Sequence, residues 1–400
     1  MITVTSLSLF VTIRFRSMPG IWKSRHRLIL CWLVFRQALY PGRKTLEERA
    51  RWTPAQVTVW RLRRLLKASD WHVPLLMAWW AQEALATLPP PSDGTLSLVG
   101  DGSDKPKRGT QNPLAHKGRK RAHHPWFFGI RFALLIANWD VYRLPMAFRL
   151  IRPQSHPEYQ PEHALLREMG GRFVPPAWAK RVMVEGDAAD GSQDNIKMVQ
   201  QRGADEAARR WGFVCAMART WKTVEEKAIK DLVTHLPRKY SQRIRVPRLP
   251  GATGGKTFWV SSTRLCLRHI GAVTVVLSQR GRNLGPKHTK ILVTTLDEWT
   301  PRQVVSADQR RWPVERIHRE LQTDLGLGAH QGSGEEGRSE KSFGIAVLAY
   351  LLLMRACHQE ILPGTSWSIA QLQHALRLRI ITNQVEHNVK TRLTKARKVA

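Results

Sequence analysis

Acidic side chains are scarce. The 400-residue chain has 31 Asp and Glu against 64 Lys and Arg, a formal net charge of +33. Such an imbalance costs self-repulsion in the compact state, so it points to a polyanionic partner. Nucleic acid is the first candidate, because neutralised phosphates release counterions and supply affinity at any sequence. A membrane surface is the second. Cysteine is also sparse. Cys31, Cys215, Cys266 and Cys357 form no CxxC pair, and none stands at metal-ligand spacing with a His. That argues against a zinc site or a disulfide framework and suits a reducing cytoplasm. Long apolar runs are lacking: Phe343–Met354 is too short to span a bilayer, though long enough for a core helix. The N-terminus lacks a basic start, and Arg14 and Arg16 follow its short apolar stretch at once. It makes a poor signal peptide, and Met18 is an alternative start. Tyrosine is rare, at 5 against 16 Trp and 11 Phe. Most of the Trp belong in a core.

What is present reads as globular. Hydrophobic residues make up 42% and charged residues 24%, and the length suits two or three domains. Residues 20–88 carry helical signals. Thr45-Leu46-Glu47-Glu48 is a capping box, and Thr53-Pro54-Ala55-Gln56 is a second with Pro at the favoured first position. Helices over about 46–52 and 54–68 with almost no linker make a helix-turn-helix pattern. In the second, Val59, Leu62 and Leu66 share one face, while Arg61, Arg64 and Lys67 lie away from it. A basic solvent-facing helix suits the DNA major groove; a small bundle with a solvated basic face is the alternative.

The run Leu88-Pro89-Pro90-Pro91-Ser92-Asp93-Gly94 marks a linker. Beyond it the patterning predicts a strand over 96–99 ending at Gly100-Asp101, and a hairpin of 126–138 with 142–151. A helix is expected over 161–169, a strand over 181–185, a helix over 192–201 and a strand over 211–218. Residues 221–296 look like an inserted β subdomain: after a helix near 224–236 come the β-branched stretches KTFWVSS, VTVVLSQR and TKILVTTL. Thr300-Pro301-Arg302-Gln303 opens a helical region to about Leu325, stopped by Gly326 and Gly328. An apolar helix over 342–360 follows, and the tail is basic. The expected domains are 1–88 (helical, DNA-binding), 95–220, the insertion 221–296, 297–362 and the tail 363–400.

Three acidic residues have matching contexts. Asp101 follows a buried strand in LSLVGDGSDKPKRG, Asp187 follows another in RVMVEGDAADGS, and Glu315 sits in a helix in RRWPVERIHRELQTDLGLG. Carboxylates at strand ends can converge at one sheet edge, and a helix packed there can add a third. Such oxygens suit Mg²⁺, which keeps several waters. Two ions can activate an attacking oxygen and stabilise the leaving one in phosphodiester chemistry. Each residue also has an ordinary reading: Asp101 as a turn residue, Asp187 as a turn or cap, Glu315 as a surface partner of Arg319. Asp104 and Asp190 compete for the first two places. Around Glu315, the residues Asp308, Arg311 and Gln322 would share one helix face, but Pro313 should restart the helix just before Glu315. Arg311 could then reach a DNA phosphate, or pair with a carboxylate. Lys105, Lys107 and Arg108 begin a basic stretch that continues through Lys117, Arg119, Lys120 and Arg121. It reads as a DNA-backbone loop or a solvated one. Trp312, beside Arg311, is the Trp nearest this constellation.

Taken together, these motifs resemble the DDE motif of bacterial insertion-sequence transposases, in the group exemplified by insertion sequence four. The resemblance covers about residues 40–360. It implies an α/β fold: a ribonuclease H-like mixed-sheet catalytic core with a β-rich insertion, plus an N-terminal helix-turn-helix-like domain. In that group the first Asp lies on the first strand, the second follows the fourth strand, and the Glu lies on a late helix after the insertion. The group's third motif places Tyr, Arg, Glu and Lys at the positions of Asp308, Arg311, Glu315 and Gln322, so two of four match. The resemblance implies cut-and-paste transposition with Asp101, Asp187 and Glu315 holding two Mg²⁺ (or Mn²⁺). Arg311 and Gln322 would stand at DNA, as would Lys105, Lys107, Arg108, Arg61, Arg64 and Lys67. It also implies double-stranded DNA as partner, a homodimer on paired ends, and a bacterial, nucleoid-associated cytoplasmic location. A DNA-binding regulator without cutting activity and a nuclease without joining activity are the alternatives.

Overall fold

The computed structural model describes residues 24–39, 47, 58–67, 69, 71–107, 112–118, 126–187, 191–217, 220–229, 231, 241–247, 254–281, 286–329, 336–356, 368–378 and 382. The first capping box and the helix expected over 46–52 fall almost wholly outside these residues. So do Arg108, Arg119, Lys120, Arg121 and Asp190. The protein is mixed α/β. Helices α1 (Ser24–Leu39), α2 (Val59–Lys67) and α3 (Val73–Thr87) precede the sheet strands β1 (Thr95–Pro106), β2 (His116–Gly118), β3 (Phe127–Trp139) and β4 (Tyr142–Ile151). There follow α4 (Glu162–Gly171), β5 (Arg181–Gly186), α5 (Gln193–Asp205) and β6 (Arg210–Ala216). Then come β7 (Gln242–Pro247), β8 (Gly255–Leu267), β9 (Gly271–Gln279), β10 (Lys290–Thr294), α6 (Pro301–Arg311), α7 (Pro313–Thr323) and α8 (Glu336–Ala356).

The ten strands form one mixed sheet in the order β2-β3-β1-β5-β6-β10-β9-β8-β7, with β4 paired to β3. β1, β5 and β6 run parallel. The β3–β4 hairpin turns at Asp140, whose φ of 45° lies in the left-handed region that Asp tolerates. The insertion strands make an antiparallel meander and join edge to edge through β10 on β6.

Two compact units divide the chain: Leu85–Asp104 with Arg131–Ile317, and Met1–Ala84 with Lys105–Ile130 and His318–Ala400. In the first, α6 lays Val304, Val305 and Ala307 on an apolar cluster that includes Met183, Val214, Val276 and Leu292. At about 25 cal/mol per Å² of buried apolar surface, this packing is the main force holding α6 on the sheet. In the second, the N-terminal helices pack on α8, whose stretch Ile345–Leu353 is fully buried. Residues 1–88 were expected as a separate domain, yet their described helices share a core with this late helix. Val73 fits against Gly344, and the Lys341 ammonium donates to the Ser69 carbonyl at 2.8 Å.

Two expectations need correction. The strand expected over 96–99 runs on to Pro106, so Asp101 lies within β1 rather than in a turn. Its flanking glycines serve close approach: a Cβ on Gly100 would stand 3.0 Å from Leu166, and one on Gly102 2.2 Å from the Glu162 carboxyl. The helix expected near 224–236 does not begin there. Residues 222–228 form a tight turn bridged to β8, with Glu226 at φ 59°. The Val224 amide donates to the Cys266 carbonyl at 3.0 Å and the Thr223 amide to Lys227 at 3.0 Å, so sheet pairing outcompetes helix propensity.

Candidate functional site

The parallel pairing of β1 with β5 organises the candidate site. Its register runs from Thr95↔Arg181 to Val99↔Glu185. Asp101 and Asp187 each lie two residues beyond that last pair; Asp101 continues the face of Val99 within β1, and Asp187 is the first residue past the end of β5. The same face carries Ser97 and Met183, and α6 covers it. The helix begins at a complete capping box, with Thr300 and Gln303 each accepting from the other's backbone amide. It ends at Arg310 and Arg311. Trp312 caps it and is exposed, and α7 restarts at Pro313 as the proline requires. Glu315 therefore sits in the first turn of α7 and is exposed, its amide donating to the Trp312 carbonyl at 3.3 Å.

Within β5, opposite Val99, lies a residue that no sequence motif marks. Glu185 is 1% exposed. Its Oε1 accepts from the Ser97 hydroxyl at 2.8 Å and faces the Arg310 guanidinium at 3.7 Å. Its Oε2 is buried without a hydrogen-bond partner, as is the Nε of Arg311. Burial pushes the carboxyl up to about 7, and Asp308 adds to the rise; Arg310, the Ser97 hydrogen bond and Arg311 pull the other way. The signal was available in RVMVEGD, where alternation puts Glu185 and Asp187 on one face of a strand otherwise built to be buried.

The residues around Glu315 divide in role. Asp308 is buried and takes a two-pronged ion pair from the Lys290 ammonium, at 2.7 and 2.8 Å. That fixes α6 to β10 and accounts for an acidic residue at that position. Gln322 is half-buried near the end of α7. Asp104 pairs with Arg131 at 3.1 Å, which takes this competing carboxylate into a structural contact.

The basic residues also separate. Arg61, Arg64 and Lys67 are exposed on α2, whose Leu62, Leu65 and Leu66 are buried. Arg64 lies over the Trp60 ring at 5.3 Å, and Trp60 is 63% exposed. Lys107 departs from its expected place at DNA. It is buried, and its ammonium donates to the Gly328 carbonyl at 2.5 Å. Burial and the neighbouring Lys105 charge lower it to about 8. Lys105 lies half-buried, its stem against Gly328. Lys117 is exposed on β2.

Carboxylate oxygens are the donors that Mg²⁺ or Mn²⁺ takes. Among the described residues, however, no three of His, Cys, Asp and Glu stand together closely enough to hold a metal ion. Of the expected set, Asp101 and Asp187 stand equally far in sequence past the last β1–β5 pair. No helix among the described residues is long and apolar enough to cross a membrane. No protein-family model matches the chain, and no curated protein matches it in sequence.

Proposed function

We propose that the chain is a DNA transposase that cuts and joins phosphodiesters at the ends of a mobile element. Its catalytic core would be ribonuclease H-like, with Asp101, Asp187 and Glu315 as the catalytic carboxylates. The observation that carries this reading is the β1–β5 register: Asp101 and Asp187 each stand two residues past its last pair, Val99↔Glu185. Support comes from order as well. Asp101 lies on the first strand, and Asp187 follows the fourth long strand. Glu315 follows the β-rich insertion and the helix that covers the aspartates' face. The charge of +33 supplies the affinity for DNA.

In this reading Asp101, Asp187 and Glu315 would hold Mg²⁺, which when bound lowers the cost of charge on the attacking and leaving oxygens. The side chains do the rest. Arg311 and Arg310 end α6 beside the aspartates' face and present guanidinium groups to a DNA phosphate. Glu185, braced by Ser97, orients Arg310 from below. A water attacks one phosphodiester and breaks its P–O3′ bond, leaving a 5′-phosphate and freeing a 3′-hydroxyl; that hydroxyl attacks a second phosphodiester, whose own 3′-oxygen leaves as a hydroxyl as the strands join. The synaptic homodimer and the DNA contacts of α2 belong to the same proposal.

A second reading, a DNA-binding protein without cutting activity, is favoured by one observation. Asp308 is committed to Lys290, and among the described residues no three of His, Cys, Asp and Glu stand together closely enough to hold a metal ion. Cleavage assays on the element's own ends separate the two. Asp101→Asn, Asp187→Asn and Glu315→Gln should each abolish Mg²⁺-dependent cutting while end binding survives. Full cutting by all three overturns the catalytic assignment. Cutting without strand transfer into a target plasmid reduces it to a nuclease.

A further inference from the structure

An open pocket of about 290 Å³ is lined by Gln193, Thr220, Trp221, Lys222, Arg268 and His269. It lies between the segments that follow β5 and β6. Those are the carboxyl ends of neighbouring parallel strands, where α/β sheets commonly take ligands. The Gly191 amide, just ahead of α5, donates to the Asp187 carbonyl at 3.1 Å, so Asp187 stands close to the start of α5, whose Gln193 lines the pocket.

The backbone brings the cations together. Thr223 bridges to Leu267, and the Arg268 amide donates to the Lys222 carbonyl at 3.2 Å, so the two side chains start side by side. His269 occupies the left-handed region at φ 65°, which holds it at the tip of the β8–β9 turn. Among the described residues one carboxylate faces these groups: Glu226 accepts from Lys222 at 2.9 Å and from Arg268 at 2.7 Å. The Lys222 hydrogen bond foremost, and the Arg268 and His269 charges with it, hold that carboxyl below its ordinary value. Among the described neighbours, Lys227 is paired to Glu225 and Arg167 to Asp194. Two fixed cations against one carboxylate leave a net positive pocket, and the start of α5 adds its own partial charge.

We propose that this pocket binds a phosphodiester of the DNA strand, one not being cut, beside the proposed catalytic edge. Lys222, Arg268 and His269 would meet the phosphate, while Glu226 sets their spacing in its absence. The inference deepens the transposase reading and rests on it for the identity of the strand. It makes a prediction of opposite signs. Arg268→Gln removes a cation and should weaken binding about fivefold, the worth of one surface charge contact. Glu226→Gln removes the competing anion and should tighten binding by a similar factor.

The test uses the full chain labelled with 5-fluorotryptophan, without metal, and reads the Trp221 fluorine resonance, assigned through Trp221→Phe. A six-residue oligothymidylate and inorganic phosphate are titrated separately. Saturable movement of Trp221 by the oligonucleotide, weaker in Arg268→Gln and tighter in Glu226→Gln, supports the proposal. No movement, or the same affinity in all three proteins, overturns it. Equal affinity for inorganic phosphate overturns the DNA strand as ligand. Because nothing is cut, a silent Trp221 with intact cleavage removes only this pocket. A responsive Trp221 in a protein whose three carboxylate variants still cleave removes only the catalytic assignment.

Discussion

Glu185 shows what a single buried carboxyl costs and provides. One oxygen is held by Ser97, the other has no hydrogen-bond partner, and burial raises the group to about 7. Its folded value lies above its ordinary 4.5, so folding takes up a proton. The stability this lends is fully present below about 4.5 and is lost as pH rises through about 7. Across that window wild type should lose about 3 kcal/mol relative to a variant that cannot ionise there. Glu185→Gln keeps the shape and removes the titration, so in urea unfolding it should gain on wild type at pH 8 and converge with it near pH 4.5. A stability difference that ignores pH would mean Glu185 is not buried in its charged form. In the transposase reading, where Glu185 orients Arg310, cutting by Glu185→Gln should fall even as its stability at pH 8 rises.

Glycines at element junctions make the next scale testable. A Cβ on Gly129 of β3 would stand 2.2 Å from the Lys105 carbonyl oxygen and 2.8 Å from the Pro106 Cα, both backbone atoms that cannot step aside. Gly337, in the first turn of α8, meets nothing within 4 Å. Gly129→Ala should therefore cost about 1–3 kcal/mol through overpacking, whereas Gly337→Ala should stabilise by up to about 1 kcal/mol through helix propensity. Thermal melts check the pair, and two changes of the same sign would contradict this packing. These positions also mark what was legible. The hairpin of β3 and β4, β5, α5 with its Ser192 cap, and the break at Pro313 follow from local patterning, and all are present. The length of β1 was hidden because Gly-Asp-Gly reads as a turn, whereas here the glycines admit α4. The strand β7 was hidden because the pattern QRIRVP is mostly exposed and gains its pairing from β8. Asp187 was legible as a carboxylate just past a strand, whereas Asp101, expected at a strand end, lies within β1. Glu185 was not singled out, since a lone Glu in a strand carries no motif. The pocket at Trp221 is made by pairing between distant turns, which no local pattern encodes.

Across the whole molecule, if the chain binds DNA as proposed, its 64 basic residues do not count equally toward that partner, because burial sorts them. Arg61, Arg64 and Lys67 are exposed on α2, while Lys107 is buried with its ammonium on a carbonyl. Both sets were expected at DNA from charge and position alone, so the structure turns one expectation into two distinguishable ones. For duplex DNA, each phosphate neutralised adds about 0.9 to the slope of log affinity against log salt. Replacing Arg61, Arg64 and Lys67 together with Gln should flatten the slope by about 1 to 3, according to how many of the three meet phosphates. Lys107→Gln should leave the slope unchanged, even where it alters stability through the lost contact with Gly328. Fluorescence anisotropy on one labelled duplex between 50 and 200 mM salt, roughly the range over which such contacts are resolved, measures both. An unchanged slope in the triple variant would remove α2 from the DNA surface. A slope that falls with Lys107→Gln would mean that this amine leaves the Gly328 carbonyl when DNA binds.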